Sequence, residues 1–163
     1  MPPCAPRTRT GVDLSPEMIA RARDLSDGRP GLRFLQGDFL TADLPAEGYD
    51  FICSVTTVHH MDFTGALLRM RELLRPGGTL VIVGLAREKS VGEWAAFLAA
   101  APVMRVTKAV RRATTPEGMP VADAEMSYGE VRRVARQLLP GVRYRRHVLR
   151  RYSLAWREPL RHS

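Results

Sequence analysis

The sequence predicts an α/β fold in which a mostly parallel β-sheet ends in an antiparallel hairpin. Three observations support this class. Short apolar runs alternate with helical patterns, two of these runs are almost continuously apolar, and the last two are joined by a tight connection. Continuous apolar runs are typical of central strands that helices cover on both faces. With 45% hydrophobic and 26% charged residues among 163, the composition is that of a globular domain.

The first part of the chain predicts a strand, a helix and a second strand. Residues 10–12 end a strand that stops at Asp13, and Ser15 followed by Pro16 marks the start of a helix. The next strand covers 32–35 and ends at a polar Gln-Gly-Asp segment. The apolar face expected on the helix consists of Met18, Ile19, Ala22 and Leu25.

The middle of the chain predicts two buried strands with a helix between them. The strands cover 49–55 (YDFICSV) and 79–85 (TLVIVGL). A helix over 64–75 is expected to end at the Pro-Gly-Gly segment 76–78. The loop after the first of these strands has the sequence His59-His60-Met61-Asp62.

The last part of the chain predicts three helices and the hairpin. Ser127 and Glu130 form a capping box that opens one of the helices. We treat residues 1–163 as a single domain, with 1–9 disordered, 10–85 as the ligand-binding core, 86–126 as a substrate or lid segment and 127–163 as the closing helix and hairpin. The predicted ranges are helices over 90–101, 103–113 and 128–139, a loop over 114–125, and strands over 142–148 and 151–156.

The net charge of +8 is concentrated in the last third of the chain. Residues 1–100 hold 11 basic and 12 acidic side chains, whereas residues 101–163 hold 14 and 5. Apart from Lys89 and Lys108, every basic side chain is an arginine. The first hundred residues therefore have the charge balance of an ordinary enzyme core, and any nucleic-acid role rests on the last third.

Targeting signals and cysteine frameworks are not evident in the sequence. No apolar run approaches the roughly 20 residues that a membrane helix needs, and the first ten residues lack the apolar stretch of a secretory signal. Cys4 and Cys53 form no CxxC pair. We expect a cytoplasmic protein with no membrane partner.

Ligands of open α/β sheets bind beyond the carboxyl ends of the strands. Asp13 follows the first predicted strand, Gly37 and Asp38 follow the second, and residues 54–60 lie at the end of the third. A carboxylate offers two oxygens at the spacing of a vicinal diol, so Asp13 is a candidate to bind a ribose. The alternative is that Asp13 only favours the positive end of the following helix.

Four segments in this order and spacing resemble the class I S-adenosylmethionine-dependent methyltransferases: GVDLSPEMIARAR, FLQGDF, YDFICSVTTVHHM and LLRPGGTLVIVG. The ending VRYRRHVLRRYSLAW is similar to the closing hairpin of that Rossmann-like fold. The resemblance implies that Asp13 holds the ribose of S-adenosylmethionine and that Asp38 accepts from the adenine amino group. The other cofactor-binding residues that it implies are Leu14, Met18, Gly37, Phe39, Ser54 and Val55.

The family's glycine-rich D-x-G-x-G-x-G loop, with the strand before it, is not found in this sequence. That strand would lie between the strand ending at Asp13 and the strand over 49–55. We therefore expect an N-terminally shortened methyltransferase whose sheet lacks its first central strand, and whose affinity for the cofactor is reduced.

For the complete enzyme, the resemblance implies in-line displacement, in which positioning supplies most of the acceleration. His59 and His60 face the methyl-transfer cleft and are the catalytic candidates, because histidine titrates near neutrality. The alternative is that both only fill a loop. We expect no metal site, since no ligand is evident beyond the His-His-x-Asp cluster.

The acceptor is expected to be a small molecule, because residues 86–126 are rich in apolar side chains. These are Trp94, Phe97, Met104, Met119 and Met126. We expect a monomer or homodimer and no nucleic-acid partner. Three alternatives stay open: a non-catalytic remnant, a membrane-surface helix over 103–113, and nucleic-acid binding by Arg132, Arg133, Arg136, Arg143, Arg145, Arg146, Arg150 and Arg151.

Overall fold

A computed structural model of the chain describes residues 8–87, 126–147 and 150–160. They fall into two compact units, residues 1–43 and residues 44–163. The predicted helices over 90–101 and 103–113 and the loop over 114–125 lie outside the described residues. The strands are β1 Arg9–Asp13, β2 Leu32–Gln36, β3 Tyr49–Val55, β4 Leu74–Leu85, β5 Arg143–Arg146 and β6 Arg151–Arg157, and the helices are α1 Pro16–Ser26, α2 Phe63–Leu73 and α3 Tyr128–Leu138.

The first unit is a parallel pair of strands, β1 and β2, connected by α1. The side chain of Ser15 caps α1 by accepting from the Met18 amide, and Pro16 occupies the first turn, as predicted. Ile19 is buried, but Leu25 is 72% exposed. The expectation that Leu25 shares the core face was wrong, because this side chain, in the last turn of a helix that covers only a two-stranded sheet, is left in solvent. The strand β1 also begins at Arg9, within the segment expected to be disordered.

The second unit contains a four-stranded sheet in the order β3-β4-β6-β5. The strands β3 and β4 are parallel, whereas β6 is antiparallel to both β4 and β5. The predicted α/β class, its parallel strands and the closing antiparallel hairpin are therefore confirmed. The structure also confirms the capping box at the start of α3, where Ser127 and Glu130 each bind the other's backbone amide.

Four strands have a single strand neighbour among the described residues. In the first unit β1 and β2 pair only with each other, and in the second unit β3 pairs only with β4 and β5 only with β6.

The core of the second unit lies between one face of its sheet and the helices α2 and α3. Alternate residues of β4 and β6 point into this layer and are buried, and the indole of Trp156 donates to the Pro140 carbonyl at 2.9 Å. The opposite face is much less covered at β3, where Phe51, Cys53 and Val55 are all exposed. Buried core residues include Leu67, Met70, Leu73, Leu80, Ile82, Val131, Ala135, Tyr152 and Leu154.

The junction between α2 and β4 differs from the prediction. The helix ends at Leu73 instead of residue 75, and β4 begins at Leu74, so the Pro-Gly-Gly segment lies inside the strand. Gly77 adopts a φ of 80° there, a conformation that glycine tolerates. Its amide donates to the Glu158 carbonyl, and the Glu158 amide donates to Gly78. These bonds to a segment far along the chain keep residues 76–78 in the sheet.

Candidate active site

The first unit brings together the residues that follow its two strands. Asp13 pairs with Gln36 at the carboxyl ends of β1 and β2, and the Gly37 amide donates to the Asp13 carbonyl at 3.0 Å. Asp38 is the next residue along. The two carboxylates singled out in the sequence therefore lie at the same edge of this sheet.

Each of these carboxylates organises its own turn. Asp13 accepts from the Ser15 amide through Oδ1 at 2.9 Å, which leaves Oδ2 without a recorded partner among the described residues. Asp38 accepts from the Leu40 amide through Oδ1 at 2.9 Å. Both residues are exposed. Each turn bond holds one carboxylate oxygen in place while the other can still accept from a ligand.

The apolar candidates of the first unit differ in exposure. Leu14 directly follows Asp13 and is 70% exposed, whereas Met18 and Phe39 are half-buried. A large aliphatic side chain held in solvent beside a free carboxylate oxygen is suited to contact a ligand that has an apolar face next to hydroxyl groups.

In the second unit, Ser54 and Val55 end β3, and Val55 is 58% exposed. The next residue, Thr56, has a φ of 53°, a left-handed conformation that is strained for a β-branched residue. Its amide donates to the Val83 carbonyl at 2.7 Å and its hydroxyl to the Val55 carbonyl at 2.8 Å. The sequence analysis missed Thr56, because no local signal marks a threonine for this conformation.

The two histidines lie on a short 3₁₀ turn, Val58–His60, that follows Thr56. Val58 is fully buried and anchors the turn, and the imidazole rings of His59 and His60 are 3.9 Å apart between centroids. Asp62 then caps α2 by accepting from the Thr64 and Gly65 amides. The structure therefore places both histidines just beyond the carboxyl end of β3.

The environments of the two imidazoles differ. His59 is half-buried, and its Nδ1 is buried without a hydrogen-bond partner in the described part of the chain. Burial, and to a smaller extent the neighbouring His60, lowers the pKa of His59 below 6.5. The side chain of His60 is exposed. Burial therefore favours the neutral form of the His59 imidazole.

Within residues 8–87, 126–147 and 150–160, no three His, Cys, Asp or Glu side chains come together as they would around a metal ion. No described helix is long and apolar enough to cross a membrane.

The arginines that suggested nucleic-acid binding in the sequence do not all lie on one surface. Arg146 pairs with the buried Tyr152 on the sheet face that carries α3, and its guanidinium lies 4.1 Å from the ring centroid of Tyr128. Arg143 and Arg145 alternate with it along β5 and therefore point to the opposite face.

The chain is similar to known methyltransferases in sequence and in fold. Residues 3–82 match a family model described as a methyltransferase domain. An uncharacterized methyltransferase of Mycobacterium tuberculosis is 32% identical over 155 residues, which are 93% of this chain and 76% of that protein. A fatty-acid O-methyltransferase of Mycolicibacterium smegmatis is 30% identical over 104 residues, which are 63% of this chain and 38% of that protein.

Among solved structures, a SAM-dependent methyltransferase from Methanosarcina mazei aligns with a TM-score of 0.61 at 13% identity, over 93% of this chain and 82% of that one. At this level of identity the alignment demonstrates a shared fold. Together with the sequence relatives and the family model, it gives the assignment: the chain belongs to the class I S-adenosylmethionine-dependent methyltransferases.

Proposed function

We propose that the chain transfers the methyl group of S-adenosylmethionine to an oxygen atom of a small, apolar, lipid-like acceptor. The main support for cofactor binding is the pair of exposed carboxylates, Asp13 and Asp38, at the carboxyl ends of β1 and β2. The acceptor class is supported by the similarity to a fatty-acid O-methyltransferase and by the apolar content of residues 86–126.

The residues of the first unit fit the adenosine part of the cofactor. Asp13 keeps one carboxylate oxygen for the ribose hydroxyls, and the exposed Leu14 covers the adjacent apolar surface. Asp38 accepts from the adenine amino group, with Gly37, Phe39 and Met18 around the ring. The family resemblance assigns Ser54 and Val55 of the second unit to the methionine part. S-adenosylmethionine, when bound, supplies an electrophilic methyl carbon.

The histidine turn supplies the proton acceptor when the acceptor group is a hydroxyl, whereas a carboxylate acceptor is already ionised at pH 7 and needs no base. Burial favours the neutral form of His59, and because its Nδ1 is buried we assign Nε2 as the nitrogen that meets the ligand. With the ring proton on Nδ1, the lone pair of Nε2 takes the proton that the acceptor oxygen loses. His60 borders the same cleft. Positioning of the acceptor supplies the rest of the rate enhancement.

Calorimetric titration with S-adenosylhomocysteine tests the cofactor site without the acceptor. A hydrogen bond to a charged group contributes about 1.5–3 kcal/mol, so we expect Asp13→Ala to weaken binding about 10- to 100-fold. The Asp13→Asn variant removes the charge but can keep the hydrogen bond from the Ser15 amide. Comparing it with Asp13→Ala therefore separates the effect of losing the charge from the effect of losing the turn. Asp24→Ala removes an exposed carboxylate on α1 and is the matched control.

Equal affinities of Asp13→Ala and Asp24→Ala for S-adenosylhomocysteine would contradict this assignment, and so would a folded chain that does not bind it. We further propose that the enzyme is cytoplasmic and acts as a monomer or homodimer, which cell fractionation and light scattering test.

A further inference from the structure

One exposed face of α3 is strongly basic. Arg132, Arg133 and Arg136 line a surface cleft of about 480 Å³ together with Gly129 and Gln137. Arg136 is three residues from Arg133 and four from Arg132, so the three side chains lie on one side of the helix and form a stripe. At 1.5 Å per residue, the three arginines span only about 6 Å of the helix axis. The positive charge is therefore compact.

Nothing in the described structure neutralises this stripe. The single acid of α3, Glu130, is held in the capping box by the amide and hydroxyl of Ser127 at 2.7 and 2.8 Å. The ion pairs of the described residues involve Arg69, Arg71 and Arg75, none of which is on α3. Like charges at these spacings repel one another, and a bound anion relieves the repulsion.

The start of α3 lies at the edge of the sheet that carries the histidine turn. The Arg87 amide, just beyond the end of β4, donates to the Met126 carbonyl at 2.9 Å, so α3 begins at the carboxyl end of β4. Arg146 extends the positive charge to this end of the helix through its contact with Tyr128. The helix runs from this edge to Leu138, whose carbonyl accepts from Arg71 near the end of α2, so the basic face extends away from the carboxyl edge.

We propose that the α3 face, formed by Arg132, Arg133, Arg136 and Arg146, binds the phosphates of anionic phospholipid headgroups. The guanidinium fork matches two phosphate oxygens, and Gly129 leaves open space beside the arginines. The choice of a lipid surface rests on the proposed lipid-like acceptor, which partitions into membranes. This proposal departs from the expectation that the chain has no membrane partner, and it uses a different segment from the helix over 103–113 considered as the membrane-surface alternative.

Single-stranded nucleic acid fits this face less well. Proteins that bind it combine a basic groove with aromatic side chains on which bases stack. The one aromatic residue of α3, Tyr128, is buried, and Arg143 and Arg145 lie on the other face of the sheet, where they cannot lengthen the basic stripe.

Sedimentation with vesicles tests the proposal. The probes are vesicles of phosphatidylcholine alone and of phosphatidylcholine mixed with phosphatidylglycerol. Each arginine near an anionic surface contributes about fivefold to binding, so R132Q/R133Q/R136Q is expected to bind the anionic vesicles roughly 100-fold more weakly than the unmodified chain. The matched control, R143Q/R145Q/R151Q, removes the same charge from the other face of the sheet. It is expected to bind the anionic vesicles only a few-fold more weakly than the unmodified chain.

The proposal would be overturned if the two triple variants lost the same amount of affinity for anionic vesicles. It would also be overturned if the unmodified chain bound neutral and anionic vesicles equally, or bound neither. Preference for a single-stranded RNA over anionic vesicles would assign the face to nucleic acid instead. Vesicle binding needs no cofactor, so its failure is distinct from failure of the proposed function. Both triple variants are expected to keep the unmodified chain's affinity for S-adenosylhomocysteine, which also verifies that they fold.

Discussion

Gly84 of β4 is a position where a single added methyl group is expected to change stability through contact with one identified side chain. Gly84 pairs with Tyr152 across the β4–β6 ladder, and a Cβ atom at Gly84 would overlap the phenol ring of Tyr152. The ring is 1% exposed and is stacked on Tyr144, with 6.1 Å between the centroids, so it cannot turn out to solvent. We therefore expect Gly84→Ala to destabilise the chain.

The magnitude follows from two opposing effects. Overpacking a well-filled core costs about 1–3 kcal/mol. The alanine restricts the unfolded chain, which offsets about 0.4–1 kcal/mol. The free energy of unfolding should therefore fall by about 1–2 kcal/mol, which lowers the Tm by roughly 2–8 °C for a chain of this length.

Thermal or urea unfolding followed by circular dichroism measures this change. The matched control is Gly129→Ala in α3, where a Cβ would meet nothing within 4 Å. Alanine is favoured over glycine in helices by about 1 kcal/mol, so this variant should be slightly more stable than the unmodified chain. The same chemical change is thus expected to have opposite signs at the two glycines.

A double-mutant cycle identifies the cause. In a Tyr152→Leu background the overlapping ring is gone, so Gly84→Ala should cost at least about 1 kcal/mol less than it does alone. An equal cost in both backgrounds would refute the overlap with Tyr152 as the mechanism. An unchanged Tm for Gly84→Ala would refute the packing described for β4 and β6.

Two further predictions concern the half-buried His59 and the exposed Cys53. Because the folded chain lowers the pKa of His59 below 6.5, the unfolded chain binds a proton first on acidification, and stability should fall as the pH decreases through 6.5. His59→Asn should show a smaller decrease in Tm between about pH 7.5 and 5.5, and an unchanged pH profile would contradict the burial of this imidazole. Cys53 is exposed on β3, so in a Cys4→Ser background the native chain should react with a thiol reagent such as DTNB before it unfolds. Reaction only after denaturation would mean that this face of the sheet is covered in solution.

The elements that local chemistry determines could be predicted from the sequence. Ser15 with Pro16, and Ser127 with Glu130, marked helix starts that the structure has at the same places. The continuous apolar runs became β3 and β4. The strand ends also brought Asp13 and Asp38 to one sheet edge, because parallel strands have their carboxyl ends on the same side.

The features that distant contacts determine could not be predicted. The Pro-Gly-Gly segment has the composition of a helix terminator, but its bonds to Glu158 place it in β4. The left-handed Thr56 depends on the Val83 carbonyl of the neighbouring strand. Leu25 fits an amphipathic pattern, and the pattern alone does not reveal how little sheet α1 has to cover.

The turn from Thr56 to His60 is held before any ligand arrives. The Thr56 amide bonds to β4, the Thr57 hydroxyl bonds to Val55, and the fully buried Val58 fixes the segment to the core. Ordering one residue of a flexible loop costs about 1–2 kcal/mol, and association with a loose loop would lose that amount for each residue immobilised. Here folding has already met this entropy cost for five residues. A ligand that contacts the two imidazoles therefore loses no interaction free energy to ordering this turn, and its affinity is higher by that amount.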